Sequence, residues 1–422
     1  AADPRVAVAV PVSGMADLPS YVSNRVINGH CDCMFLHNAY QWPWTRIAAL
    51  IAPRPMLFVN SDADKIFPMD ANRRIANRLE DVYRLYGAGD QVDAVVSIGG
   101  HAYREDIRQA VFRFINLHLQ NDPRPVADSE VDLVKGSRHE QHPINPESLR
   151  VFPKDEDIPA DQTNTTIDQL FVSRAKIDPP HSGEFDAWKT SLMRQLRTNV
   201  LQSVPQPVPM ASVVGLDNAT HTVDTEEGIQ VAVTAGKRPE KTERLVLAVS
   251  LDDDLQQDRK WLAAQLGDGD AVYWCQPRGI GPTRWTRKNP PNYVERAHVL
   301  LGRTVELGQI IDVASVARRL HDMDPELPIC VAGHERAGVI AAYAAHLEPG
   351  IISQIVIEKP PATHQDPAAP SLLNVMRVCD IAQILGMLAP RRLELINAPA
   401  ELVPAVEGCY RAADAGDQLI KH

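Results

Sequence analysis

The stretch "VAGHERAGVIAAYAA", residues 331–345, decides the fold of the C-terminal half of the chain. An apolar run from Leu327 to Ala332 leads into a glycine-containing turn, and small, helix-favouring residues follow. This order predicts a strand, a sharp turn and a helix, the setting in which the pattern G-x-S-x-G presents a reactive serine. Glu335 stands where that pattern has serine, and the second glycine is displaced by one position, to Gly338. The stretch therefore predicts the scaffold of a nucleophile with a carboxylate in its place.

Composition bounds the number of domains and the classes of partner. The chain has 422 residues, of which 44% are hydrophobic, and a prior of about 150 residues per domain predicts two or three domains. The net charge of −11 provides no basic surface for nucleic acid or anionic lipid. No apolar run approaches the roughly 18 residues that a membrane-spanning helix needs. We therefore expect neither a nucleic-acid partner nor a membrane partner.

Three zones differ in their patterns. Residues 1–120 alternate apolar strands with helices, which predicts a parallel sheet built from βα units. Residues 121–215 are rich in proline and polar side chains, and they predict a linker with one amphipathic helix at about Phe185–Leu201. Residues 216–422 return to the alternation and predict a second α/β domain.

The first and third zones repeat each other. The matching windows are "ALIAPRPMLFVN" (49–60) with "GMLAPRRLELIN" (386–397), "YRLYGAGDQV" (83–92) with "YRAADAGDQL" (410–419), and, more loosely, "ADPRVAVAV" (2–10) with "LEPGIISQI" (347–355). Three windows in the same order predict the same fold twice in one chain.

Two strand ends in the first zone carry an acid and a histidine. In "NSDADKIFP" (60–68) a buried strand is followed by Asp64, and in "SIGGHAYRED" (97–106) a strand and two glycines are followed by His101. An acid that precedes a histidine, each after a strand, is the order of the serine–acid–histidine triad in α/β hydrolases. Asp62 is the rival acid, and Asp64 could alternatively serve only as a turn or helix-capping residue.

These motifs resemble a known superfamily. "GHCDCMFLHN" (29–38), "ALIAPRPMLFVNSDAD" (49–64) and "GGHAY" (99–103) are similar to the C-terminal half of an α/β hydrolase, in the group of acetyl xylan esterases and prolyl-oligopeptidase-like serine hydrolases. The resemblance implies tandem α/β-hydrolase folds, each a mostly parallel sheet flanked by helices. It also implies that Asp64 and His101 are the acid and the base of a serine triad.

The resemblance further implies an activity. It indicates a carboxylic ester hydrolase without cofactor, acting on a small-molecule or carbohydrate ester, most simply an acetyl ester. It also indicates a bacterial protein of the periplasm or the extracellular space. The alternatives are a peptidase of the prolyl-oligopeptidase type and a non-catalytic module in which both copies are binding scaffolds.

The serine of the first copy is missing from the printed sequence. No serine has glycine both two residues before it and two residues after it. Aligning Pro4 with Pro349 gives an offset of 345, which maps Glu335 to about ten positions before residue 1. We therefore expect the nucleophile and the oxyanion hole to lie upstream, the first copy to be incomplete, and this chain alone to be inactive.

The second copy is expected to be a degenerate hydrolase domain. An offset of 337 places Glu401 at the acid position of Asp64. The acids of "DDDLQQD" (252–258) would repel an oxyanion rather than stabilise it. Packing or substrate binding is the expected role, and a carboxylate-based site formed by Glu335 and His334 is the alternative.

Two histidine-containing segments are candidate metal sites. "GHCDCMFLHN" (29–38) contains two cysteines, but their C-x-C spacing differs from that of structural zinc sites. We expect this segment to be a pocket wall, with a strained disulfide between Cys31 and Cys33 as an alternative. His139 and His142 of "GSRHEQH" (136–142) lie in the polar zone and are expected to be solvated. No metal site is predicted.

Overall fold

A computed structural model describes residues 1–29, 37–127, 132–134, 140–167, 171–217, 220–285 and 293–422. The chain divides into two compact units, residues 1–36 with 40–172 and residues 37–39 with 173–422. The division falls inside the segment 121–215 that was expected to link two domains. Residues 173–215 therefore belong to the second unit.

Unit 1 is built on a small parallel sheet. Its helices are α1 (Trp44–Ala49), α2 (Met69–Leu85) and α3 (Glu105–Gln120), and its strands are β1 (Met56–Ser61), β2 (Val92–Ser97), β3 (Asp132–Val134) and β4 (Glu140–Ile144). β1 and β2 pair in parallel from Met56 opposite Val92 to Ser61 opposite Ser97. On the other side of β1, Ala9 forms a parallel bridge to Met56. β3 and β4 form a separate parallel pair.

Helices α2 and α3 cover opposite faces of β1. Successive side chains of a strand point to opposite faces, so Met56 and Phe58 pack with residues of α2, whereas Leu57 and Val59 pack with residues of α3. Two small cores on the two sides of the strands hold β1 in the interior of the unit.

Unit 2 contains a nine-stranded sheet. Its strands are β5 (Ser212–Asp217), β6 (Thr220–Glu226), β7 (Ile229–Ala235), β8 (Arg244–Val249), β9 (Asp270–Gln276), β10 (Ile329–His334), β11 (Ile352–Glu358), β12 (Arg392–Ile396) and β13 (Leu419–Lys421). The spatial order is β13-β12-β11-β10-β8-β9-β7-β6-β5. Neighbours are parallel from β13 to β9, and the other three strands pair antiparallel.

Helices lie on both faces of this sheet. They are α4 (Phe185–Asn199), α5 (Gln256–Leu262), α6 (Tyr293–Leu300), α7 (Val305–Met323), α8 (Arg336–Leu347), α9 (Ile381–Gly386) and α10 (Val403–Ala412). Residues of α4 and α7 to α10 share one core, whereas α5 packs into a second core on the opposite face. Mostly parallel strands between helices confirm the predicted α/β class. No helix in the described ranges is both long and apolar enough to cross a membrane.

The amphipathic helix predicted in the polar zone is present as α4. Phe185, Leu192 and Leu196 on its apolar face are buried in the large core of unit 2. This helix therefore packs within the second unit.

Matching positions of the repeated windows have matching local geometry. The hydroxyl of Tyr83 donates to the carbonyl of Arg54 at 2.6 Å, and that of Tyr410 donates to the carbonyl of Arg391 at 2.8 Å. The strand pairing also gives an offset between the two windows. Ala9 bridges Met56 as Ile355 pairs with Leu393, so the structural offset there is 346, one more than the aligned prolines give.

Candidate active site

Asp64 and His101 meet in unit 1 at the carboxyl ends of β1 and β2. Because the two strands are parallel, the turns that follow them lie at the same edge of the sheet. Asp64 follows β1 by three residues, and His101 follows β2 by four. His101 Nδ1 lies 2.8 Å from Asp64 Oδ2, a hydrogen bond. The contact expected from the sequence is therefore present.

The carboxylate of Asp64 is buried and held from both sides. Its side chain has 0% exposure, and Oδ1 accepts hydrogen bonds from the backbone N–H groups of Ile66, at 2.8 Å, and Phe67, at 3.1 Å. Asp64 thus also performs the turn role considered as the alternative. The turn uses one oxygen and leaves the other directed at the histidine.

The imidazole of His101 is fixed on one side and open on the other. Its ring stacks on Phe67 with a centroid distance of 5.7 Å, and its side chain remains 49% exposed. Within the described ranges, no hydrogen bond involves Nε2. When Nδ1–H donates to Asp64, the neutral ring carries its lone pair on Nε2. That nitrogen can accept a proton from a group that reaches it.

The loop that carries His101 is supported by Asp62 and Arg104. Asp62 Oδ1 accepts from the N–H of Gly99 at 2.8 Å, so the rival acid holds the loop and not the imidazole. Arg104 donates to the carbonyl of Gly100 at 2.7 Å and to the hydroxyls of Ser61 and Ser97 at 2.8 and 2.6 Å. The sequence pattern did not indicate Arg104, because its partners lie on two strand ends far apart in the chain.

The predicted sharp turn is present in unit 2 between β10 and α8. Glu335 adopts φ 50° and ψ −122°. A Cβ at Gly333 would lie 2.5 Å from the carbonyl carbon of Ala337, and one at Gly338 would lie 2.3 Å from Ile357 Cγ2. Neighbouring atoms leave no room for a side chain at either position, so both residues must be glycine. This explains why the second glycine of the pattern lies at 338, one position later than usual.

The side chain at this turn is acidic and partly exposed. Glu335 is 56% exposed, and its Oε1 lies 3.6 Å from His334 Nε2. The cavity beside it is also lined by Asp252 and Asp258. Burial raises the pKa of Asp252, and the charge of Asp258 raises it further; His334 lowers this pKa, whereas Asp253 and Glu335 raise it. Arg336 and His334 line the same cavity, so basic side chains accompany these acids.

The other proposed site residues do not form a second triad. Glu401 lies exposed in the turn before α10, and no hydrogen bond of its side chain is found in the described part of the chain. Residues 30–36, with Cys31 and Cys33, lie outside the described residues, as does His139; nothing is described of the His142 side chain. In the ranges that are described, no three or more histidine, cysteine, aspartate or glutamate side chains come together as metal ligands.

Unit 2 also contains a buried ion pair that no sequence motif indicates. Arg278 Nε and Nη2 donate to the two oxygens of Asp312 at 2.9 and 2.7 Å, and Arg278 Nη2 also donates to Glu226 at 2.6 Å. The side chain of Asp312 is fully buried. Arg278 follows β9 by two residues, and its partner Asp312 on α7 belongs to no sequence motif.

Comparison with known proteins finds similarity at the level of solved structures. No family model and no curated protein matches the chain. A candidate acetyl xylan esterase from Bacteroides fragilis is 10% identical with a TM-score of 0.46, covering 64% of this chain and 83% of that one. A glucuronoyl esterase from Caldicellulosiruptor kristjansonii is 12% identical with a TM-score of 0.39, covering 60% and 87%. A serine hydrolase homologue from Coxiella burnetii is 13% identical with a TM-score of 0.33, covering 50% and 88%. The fold class of this chain rests on its own sheet topology.

Proposed function

We propose that this chain is part of a serine-type carboxylic ester hydrolase in which His101 is the general base and Asp64 the acid that orients it. The observation that carries the proposal is the 2.8 Å hydrogen bond between a buried carboxylate and a histidine whose Nε2 is open. We further propose that the two units are copies of one fold. In that register the serine lies upstream of residue 1, at the counterpart of Glu335.

The proposed reaction follows from these positions. The serine hydroxyl gives its proton to His101 Nε2 while its oxygen attacks the ester carbonyl carbon. Asp64 stays ionised and stabilises the imidazolium through Nδ1–H. The imidazolium then protonates the departing alcohol oxygen as the ester C–O bond breaks. Water, activated by the same histidine, releases the acid and restores the serine.

The proposed substrate class is a carbohydrate acetyl ester, and it rests on the sequence resemblance alone. In the second unit, Glu335 stands where the pattern has serine, so this turn supplies no hydroxyl nucleophile. We propose that unit 2 does not hydrolyse esters and serves packing or binding.

The test compares this chain with a version extended by the sequence encoded upstream of it. Both are assayed for hydrolysis of p-nitrophenyl acetate and for covalent labelling by a fluorophosphonate probe. We expect labelling and turnover only in the extended protein, and we expect His101→Ala to lose both. His118→Gln in α3 is the matched control and should keep both.

Three outcomes would contradict the proposal. Turnover by the present chain that survives His101→Ala would place the chemistry elsewhere. An extended protein that is not labelled would favour the non-catalytic scaffold. Cleavage of a prolyl p-nitroanilide in preference to acetyl esters would favour the peptidase alternative.

A further inference from the structure

A cavity in unit 1 lies apart from the Asp64–His101 pair. It has a volume of about 510 Å³, and residues of β1, β2 and α2 line it. Phe58, Met69 and Val96 give it apolar surface, and Asn60 and Asn72 give it polar groups. Cavities that bind small molecules have this size and this mixture of apolar walls with a few polar groups.

The side-chain oxygens of two asparagines at this cavity lack hydrogen-bond partners. Asn60 is 2% exposed and its Oδ1 accepts no hydrogen bond; no side-chain bond of this residue is found in the described ranges. Asn72 is 3% exposed, and its Oδ1 is also unpaired, while its Nδ2 donates to the carbonyl of Phe67 at 2.9 Å. Buried amides normally find partners, because leaving them unpaired costs free energy. A molecule that donates hydrogen bonds would satisfy the two unpaired amide oxygens.

The charges at the cavity oppose each other. Asp62 contributes one carboxylate, already accepting from Gly99, and Arg73 contributes one exposed guanidinium. A charged ligand would be attracted by one of them and repelled by the other, so the pair favours neither sign of charge. A neutral ligand with hydroxyl groups suits both the unpaired oxygens and the apolar wall.

We propose that this cavity binds a small neutral polyol or monosaccharide, whose hydroxyl groups donate to the amide oxygens of Asn60 and Asn72. Because no hydrogen bond holds the Asn60 amide in place, it can turn to meet the ligand. The apolar side chains face the C–H groups of the sugar ring or carbon chain. The proposal does not depend on ester hydrolysis, because neither Asp64 nor His101 lines the cavity.

The experiment uses the whole chain labelled with ¹⁵N and three probes, glycerol, D-glucose and D-xylose. We expect at least one probe to cause saturable shifts in the side-chain amide signals of Asn60 and Asn72. D-glucuronate, the charged relative of glucose, should bind no more tightly than glucose, because the attraction by Arg73 and the repulsion by Asp62 offset each other. Asn60→Leu should lose the Asn72 shift, yet its melting temperature should stay the same or rise, since an unpaired buried amide is removed.

The control is Asn199→Leu in unit 2, which should leave the shifts unchanged. If Asn60→Leu does not fold, Ala94→Phe tests the same point, because Ala94 lies exposed at the cavity on β2 and a ring there would fill it. Absence of saturable shifts with all three probes, or equal binding by the variants, would overturn the proposal. None of these measurements needs a serine or an ester, so failure here is distinct from failure of the hydrolase proposal.

Discussion

The strand ends of unit 1 and the sharp turn of unit 2 differ in what surrounds the carboxylate. In unit 1, Asp64 is buried, accepts two backbone N–H bonds and a histidine, and leaves one imidazole nitrogen open. In unit 2, Glu335 is 56% exposed beside other acids. The turn of unit 2 is held by the close packing of Gly333 and Gly338 and by the hydrogen bond from the N–H of Glu335 to the carbonyl of Glu358 at 2.7 Å. A sharp turn fixed by glycines can therefore present an exposed side chain, whereas the acid of unit 1 is fixed by its own hydrogen bonds.

The largest expected effect is on the Asp64–His101 pair. In the extended protein that carries the proposed serine, Asp64→Asn should lower kcat on the order of 10⁴-fold, because an amide no longer selects the right tautomer of the histidine. Steady-state hydrolysis of p-nitrophenyl acetate measures it. Asp62→Asn is the matched control and should cost far less, because Asp62 holds only the Gly99 amide. Equal losses in the two variants would show that the effect is not specific to the Asp64–His101 hydrogen bond, and a larger loss in Asp62→Asn would make Asp62 the acid.

The second largest effect is expected at the buried ion pair of Arg278 and Asp312 in unit 2. Asp312→Ala should lower the free energy of unfolding by about 3–5 kcal/mol, because Arg278 would remain buried without its main partner. Urea denaturation measures it. The double variant Arg278→Met with Asp312→Leu should recover most of the loss, since it removes both charges. If the double variant is as unstable as the single one, packing at this position matters more than the charge.

Much of both sites was predictable, because the determinants lie close together in the chain. Asp64 follows one predicted strand through a turn, and His101 follows the next through two glycines. Because parallel strands end at the same edge of a sheet, this order predicts that both residues lie at one edge. The glycines likewise indicated the turn at Glu335. The partners Arg278 and Asp312 were not predictable, since 34 residues separate them and neither belongs to a motif. Likewise, the apolar face of α4 was visible in the sequence, but the core that receives it was not.

A third effect tests whether packing maintains the turn of unit 2. Gly333→Ala should lower the free energy of unfolding by about 1–3 kcal/mol, because the new methyl group would meet backbone atoms of Ala337 that cannot move aside easily. Thermal or urea unfolding measures the change. Gly350→Ala is the matched control, since a Cβ there meets nothing within 4 Å. A change at Gly333 no larger than at Gly350 would mean that the turn tolerates a side chain.

The smallest effect is expected for a substitution of Glu335, and it is a stabilisation where the others are losses. Its φ of 50° with ψ of −122° is a backbone conformation that residues other than glycine adopt only at a cost in free energy. Glu335→Gly should therefore raise the free energy of unfolding by about 1 kcal/mol, the relieved strain exceeding the entropy that glycine adds to the unfolded chain. Glu335→Gln keeps the backbone strain and removes only the charge, so it is the control. If Glu335→Gln raises the free energy of unfolding as much as Glu335→Gly does, the wild-type turn is destabilised by repulsion among the acids near His334 and Asp252. Backbone strain at Glu335 would then make no contribution.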